Sequence, residues 1–172
     1  MATLQRITPF LWYDHQAEEA AKFYVSIFPN SRIVKTTHYP KAGQEQHHMP
    51  AGSVMVVAFT LDGVEFNAIN AGPVFKFTEA VSFVVNCDSQ AEVDRYWDKL
   101  GAGGDPKSQM CGWLKDRYGL SWQITPREIY RYFEPADSPQ AARAFTAMMD
   151  MKKLDLDAIR RAYEGATSRS TA

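Results

Sequence analysis

Two amides, Asn67 and Gln123, occupy matching places in this chain. They lie in LDGVEFNAI (61–69) and RYGLSWQIT (117–125), which align on Gly63 and Gly119. In each stretch a glycine-containing turn separates two extended runs, the pattern of a hairpin. An amide donates and accepts hydrogen bonds and carries no charge. The pair therefore suits recognition of a neutral organic group. Along the last of these runs Leu120, Trp122 and Ile124 share one face, and Ser121 and Gln123 share the other. With Gln123 facing a cavity, Trp122 belongs to the core. By the same parity Phe66 is core and Asn67 faces the cavity.

Other chemistry-bearing residues are less organised. His47 and His48, with Glu45, could seed a metal site. They fall in HYPKAGQEQHHMPAG, whose glycines and prolines read as a loop. His15 follows Asp14 at a helix start and should be exposed. Cys111 has no base beside it in sequence, so a nucleophile role lacks support. No Ser-His-Asp arrangement or phosphate-cradling glycine loop is visible. Trp12, Phe66, Trp113 and Trp122 could wall a flat apolar ligand. Thr8, Phe10 and Trp12 share a strand face, which makes Trp12 the pocket candidate. Ser82, Val84 and Asn86 likewise align.

The elements that position these residues come in two copies. DHQAEEAAKFY (14–24) resembles DSQAEVDRYW (88–97), and each follows an extended apolar segment. Asp14 and Asp88 are placed to cap helices, with Glu18 and Glu92 in the first turns. Each half thus reads strand–helix–strand–strand–strand. The first spans 4–13, 16–28, 31–40, 53–61 and 64–70; the second spans 80–87, 89–100, 104–109, 111–116 and 120–125. Residues 1–70 form one module, 71–79 a linker and 80–127 a second module. Residues 128–172 form a helical tail, capped by Asp137 or Ser138 with Pro139 at the first helical position. A shorter helix covers 155–165, and ATSRSTA is expected to fray.

Composition narrows the class. The chain has 172 residues, a net charge of −1, 45% apolar and 13% aromatic residues. This allows a globular core and gives no electrostatic case for nucleic acid. The run VMVVAF is far too short to cross a membrane, and the N-terminus lacks a secretion pattern. A cytoplasmic protein with two reduced thiols, Cys87 and Cys111, is expected.

The segments ITPFLWYDHQAEEAAKFYVSIFPNSRI, LDGVEFNAINAGP, FTEAVSFVVNCDSQAEVDRYWDKL and CGWLKDRYGLSWQITP closely resemble the PhnB-like family. That family, often labelled 3-demethylubiquinone methyltransferase, lies in the vicinal oxygen chelate superfamily of glyoxalases, bleomycin-resistance proteins and dioxygenases. The resemblance covers about residues 4–127. It implies an α+β fold of tandem β-α-β-β-β modules, each a cup of four strands. Two cups combine around a ligand cavity, within a chain or across a swapped homodimer. The methyltransferase label is not supported by the residues. The first strand-to-helix junction, WYDHQAEE, has no glycine, and the strand order does not suit a parallel Rossmann sheet.

Metal-dependent members of the superfamily carry His or Glu on the first and last strands of each half. The repeat maps those positions onto Thr8, Asn67, Ser82 and Gln123. These are hydroxyls and amides, which supply no charge to neutralise a dication. Thr8, Trp12, Asn67, Ser82 and Gln123 are therefore the expected ligand-binding residues of a small-molecule-binding protein without metal or other cofactor. The alternative is a metal-dependent glyoxalase- or dioxygenase-like lyase, isomerase or oxidoreductase, drawing ligands such as His47 or His48 from a partner. A further alternative uses the apolar tail helix around Phe145 and Met148 as a contact surface.

Overall fold

The computed structural model describes residues 4–165. The chain divides into two compact units, Met1–Phe77 and Thr78–Ala172. The first contains β1 (Phe10–Tyr13), α1 (Ala17–Ile27), β2 (Arg32–His38), the one-turn α2 (Gln44–His47), β3 (Val54–Leu61) and β4 (Val64–Asn70). Its sheet has the order β1-β4-β3-β2. β1 runs parallel to β4, and the other pairs are antiparallel. α1 buries Ala17, Ala20, Ala21, Tyr24 and Ile27. The same side of the sheet carries the buried Leu11, Val57, Phe59, Phe66 and Ala68, and Tyr24 stacks on Phe59. The parity read from the sequence holds, with Phe66 in the core. The β3–β4 turn places Asp62 and Gly63 at φ of 46° and 80°. Those left-handed values explain the aspartate-glycine pair of this tight hairpin.

The second unit contains β5 (Ser82–Cys87), α3 (Gln90–Gly101), a 3₁₀ turn (Pro106–Ser108), β6 (Trp113–Lys115) and β7 (Ser121–Pro126). Its tail comprises a 3₁₀ segment (Arg127–Phe133), α4 (Pro139–Met149) and α5 (Leu156–Glu164). The sheet order is β5-β7-β6, with β5 parallel to β7. Val93, Tyr96, Trp97 and Leu100 of α3 are buried, as are Val85, Leu114, Trp122 and Ile124 of the sheet.

The expected strand at 104–109 is not formed. Pro106 lacks the N–H a ladder needs, and Asp105 instead accepts a bond from the Lys107 amide, capping the 3₁₀ turn. The second sheet therefore has three strands, not four. The first strand is also shorter than the expected 4–13. Ahead of it the Gln5 side chain takes the place of strand pairing, accepting from the Glu65 N–H and donating to the Glu65 carbonyl.

The expected caps also differ. Gln16, not Asp14, stands at the α1 N-cap and makes no side-chain cap bond. The Ala17 N–H is satisfied by Asn70 Oδ1 at 2.8 Å, and Asn70 Nδ2 donates to the Val54 carbonyl. For α3 the cap is Ser89, not Asp88. Ser89 accepts from Glu92 N–H, and Glu92 reaches back to the Asp88 N–H. This closely follows a capping box. Ser138 caps α4, and Asp155 caps α5.

The tail builds its own small core from Ile129, Tyr132, Ala144, Leu154 and Ile159, with Met148 packed against it. It is tied to α3 and the β6 approach. The Met151 and Lys152 carbonyls accept from the amides of Cys111 and Gly112. Gln90 bonds both the Leu154 carbonyl and the Leu156 N–H, and Lys153 pairs with Asp94. Phe145 is half exposed beside an open apolar groove of about 500 Å³ that Phe133 and Ala141 also line. The expectation of fraying in ATSRSTA, residues 166–172, lies outside the described residues. Among the described residues no helix is long and apolar enough to cross a membrane.

Candidate functional site

In the second unit the sheet face opposite α3 collects the polar residues. Parallel pairing sets Ser82 beside Ser121 and Val84 beside Gln123. Antiparallel pairing sets Trp113 beside Gln123 and Lys115 beside Ser121. Paired residues project to one side. One row across the sheet therefore reads Ser82–Ser121–Lys115, and the next reads Val84–Gln123–Trp113. Two of the expected residues meet directly: Gln123 Nε2 donates to Ser82 Oγ at 2.8 Å. Both side chains are half-buried.

The hairpin beneath them is held by Asp116, which is buried. Its Oδ1 accepts from the N–H groups of Tyr118 and Leu120 at 2.8 and 3.1 Å, and its Oδ2 accepts from Trp122 Nε1 at 2.8 Å. Trp122 is thus fixed in the core, which leaves Trp113 as the aromatic on the Gln123 face. On the same face Lys115 Nζ forms an ion pair with Glu79. The hydrogen bond from Lys115 holds the Glu79 carboxyl below its ordinary range. Ser121 is 1% exposed, and its hydroxyl has no hydrogen-bond partner among the described residues.

In the first unit Asn67 lies between Phe10 and Ala58 in register and is half-buried. Trp12 shares that face and pairs with Ile69. Its indole N–H donates to the Gly72 carbonyl at 2.9 Å, and Phe75 meets its ring edge-on at 4.9 Å. Trp12 can therefore offer a ring surface but no free donor. Thr8 lies before β1, with Oγ1 3.5 Å from Gln5 Nε2. Thr60, on the Asn67 side of β3, is a second buried hydroxyl without a partner among the described residues.

The remaining sequence candidates have local roles. His47 ends the single turn of α2, accepts from the Met49 N–H and packs its ring against Tyr39. His15 is exposed and pairs with Asp14. Among the described residues no three His, Cys, Asp or Glu side chains converge as a metal-binding group. Both cysteines are free. Burial pushes the Cys87 thiol up to about 12, and nearby Glu92 adds to this, so little nucleophilic thiolate forms there. Cys111 Sγ rests near the Met149 carbonyl and sulfur.

Sequence reasoning did not single out Lys115, Ser121 and Glu79 as site residues. Alternation already put Ser121 on the Gln123 face, and hairpin register applied to it would have added Lys115. The Glu79 contact is not local, and no spacing signals it.

A family model described as 3-demethylubiquinone-9 3-methyltransferase matches residues 5–125. Among solved structures, the PhnB protein from Bacillus cereus is 38% identical, with a TM-score of 0.60. The similarity covers 71% of this chain and 99% of that one. The PA1353 protein from Pseudomonas aeruginosa is 21% identical over 70% of this chain and 95% of its own, with a TM-score of 0.52, a likeness of fold. No curated protein matches.

Proposed function

The chain belongs to the PhnB-like family described as 3-demethylubiquinone-9 3-methyltransferase, in the vicinal oxygen chelate superfamily, and on that premise we propose that it binds a small organic molecule without a metal ion. In the second unit the ligand lies on the amide-bearing sheet face, with Ser82 and Gln123 as polar contacts and Trp113 as a ring surface; in the first unit Asn67 and Trp12 offer a like pair of groups on their own sheet face. The observation that carries this reading is the Gln123–Ser82 hydrogen bond. It orients a neutral amide on the open face, with its carbonyl oxygen left to accept and the Ser82 hydroxyl proton left to donate.

A divalent cation does not suit this donor set. Each unit supplies one amide and one hydroxyl, Asn67 with Thr8 and Gln123 with Ser82, and these leave an ion's charge uncompensated, whereas metal centres of this chemistry draw on imidazole or carboxylate. Transfer of a methyl group from a nucleotide-type cofactor also finds no support. The mixed orders β1-β4-β3-β2 and β5-β7-β6 differ from a parallel dinucleotide-binding sheet. Assembly as a cytoplasmic homodimer belongs to the same proposal.

The test is a fragment titration of the full chain with neutral aromatic amides and ketones, such as benzamide and acetophenone, followed by NMR. Expected are shifts of the Gln123 side-chain amide and the Trp113 indole N–H. Gln123→Leu is expected to weaken binding by about fivefold or more, the scale of one lost neutral hydrogen bond. Shifts confined to the tail groove around Phe145 would sink the reading and favour the tail as the contact surface.

A further inference from the structure

The Ser82–Ser121–Lys115 row differs from the neutral amides beside it, because it can turn an ammonium and two hydroxyl protons toward one incoming group. Lys115 supplies an ammonium. Ser82, already accepting from Gln123, keeps its own proton to donate. Ser121 has a hydroxyl sealed from water to 1% exposure with nothing to bond among the described residues. A buried, unpaired hydroxyl costs free energy, and its place beside a cation marks a position where an acceptor is wanted. That acceptor position is partly filled by the chain itself. Glu79, in the turn before β5, docks its carboxylate on Lys115. The lysine side chain is 24% exposed and the glutamate 66%. The cation is therefore the anchored member of the pair, and the carboxylate is the member able to leave.

We propose that this row is a carboxylate-recognition subsite, with Lys115 as the charged anchor, Ser121 and Ser82 as oxygen donors, and Glu79 as an internal carboxylate that a ligand carboxylate displaces. The proposal rests on the ligand-binding reading above and names the chemical class the second module takes. An organic carboxylate whose body lies along Gln123 and Trp113 fits, because like replaces like on Lys115 and the Ser121 hydroxyl gains its missing partner. No bond is made or broken, and the exchange conserves charge at the lysine.

The test titrates the full chain with benzoate, with its neutral isostere benzamide and with inorganic phosphate, reading the Ser121 and Gln123 NMR signals. Benzoate is expected to shift both signals and to bind more weakly as salt rises. Removing the competing carboxylate with Glu79→Gln should tighten benzoate by about threefold or more, as expected for relief of a partly screened charge pair. Lys115→Met should weaken benzoate by about tenfold, the scale of a lost charge-assisted hydrogen bond, and leave benzamide unchanged. Ser121→Ala should weaken benzoate while leaving the unfolding temperature unchanged or raised, since the removed hydroxyl has no partner to lose. A merely structural serine would show the opposite pattern. Benzoate and benzamide binding alike, with Lys115→Met affecting neither, would overturn the subsite and leave the ligand-binding reading standing. Phosphate displacing Glu79 where benzoate does not would also overturn it. Failure of both aromatic probes would remove both readings together.

Discussion

Asp116→Ala is expected to be among the most destabilising single substitutions in the second module. The carboxylate is 2% exposed and accepts three hydrogen bonds from donors on its own hairpin. Alanine leaves the Trp122 indole N–H and the amides of Tyr118 and Leu120 without that acceptor in a dry setting. Each unpaired buried donor costs about 1–3 kcal/mol, and bonds to a charged group stand at the upper end. With partial relaxation a loss of about 3 kcal/mol follows, or roughly 6–12 °C in unfolding temperature for a chain of this length. Asp116→Asn should fall between, because its oxygen can still accept while its NH₂ group opposes the Trp122 donor. Thermal unfolding followed by near-ultraviolet circular dichroism of the tryptophans is the measurement. An alanine variant within a degree of the parent would show that these bonds do not hold the hairpin.

Gly104→Ala is expected to have an effect of similar size by a different route. A Cβ at Gly104 would lie 1.9 Å from the Lys115 carbonyl oxygen and 3.0 and 3.2 Å from the carbonyl carbons of Lys115 and Asp116. These are backbone atoms at the end of β6, so no rotamer change relieves the clash. Overpacking against side chains costs about 1–3 kcal/mol, and a clash with a strand backbone should reach the top of that range or exceed it. The displaced strand carries Lys115 and adjoins Asp116, so the carboxylate subsite should weaken as stability falls. Gly101→Ala is the control. Its added Cβ meets only Gln109 and Leu114 side-chain atoms at 3.7 Å, ordinary contact distances, and the change should be neutral or mildly stabilising. Chemical denaturation of both variants decides the matter, and equal midpoints would contradict the packing described.

The repeat made much of this fold legible. Two glycine turns, two matching amides and period-two alternation were enough to place Phe66 and Trp122 in the core. The same signals placed Asn67 and Gln123 on the opposite faces. Errors arose where a residue's partner lay elsewhere in the chain. Asp14 looked like a cap, yet the start of α1 is satisfied by Asn70, more than fifty residues away in sequence. Ser89 and Glu92 carried a readable capping box, obscured by aligning the repeats on their aspartates. Residues 104–109 read as a strand by analogy with the first half, although Pro106 and the close approach at Gly104 oppose one. Thr8 fell outside β1 because a side chain, Gln5, took over the pairing that a longer strand would have made. The charged part of the candidate site was hidden for the same reason. Lys115 and Ser121 follow from hairpin register, but the Glu79 ion pair depends on how the turn before β5 folds back.

The sheet faces that carry Asn67 and Gln123 are expected to bind an organic ligand without a metal ion. Equilibrium dialysis of untagged full-length protein against zinc, manganese, nickel and iron, followed by elemental analysis, tests this most directly. Protein retaining far less than one equivalent of each metal, with ligand-induced shifts at Gln123 unaltered by a chelator, is the expected result. Stoichiometric retention of any of these ions, lost when Asn67, Ser82 or Gln123 is replaced, would contradict it.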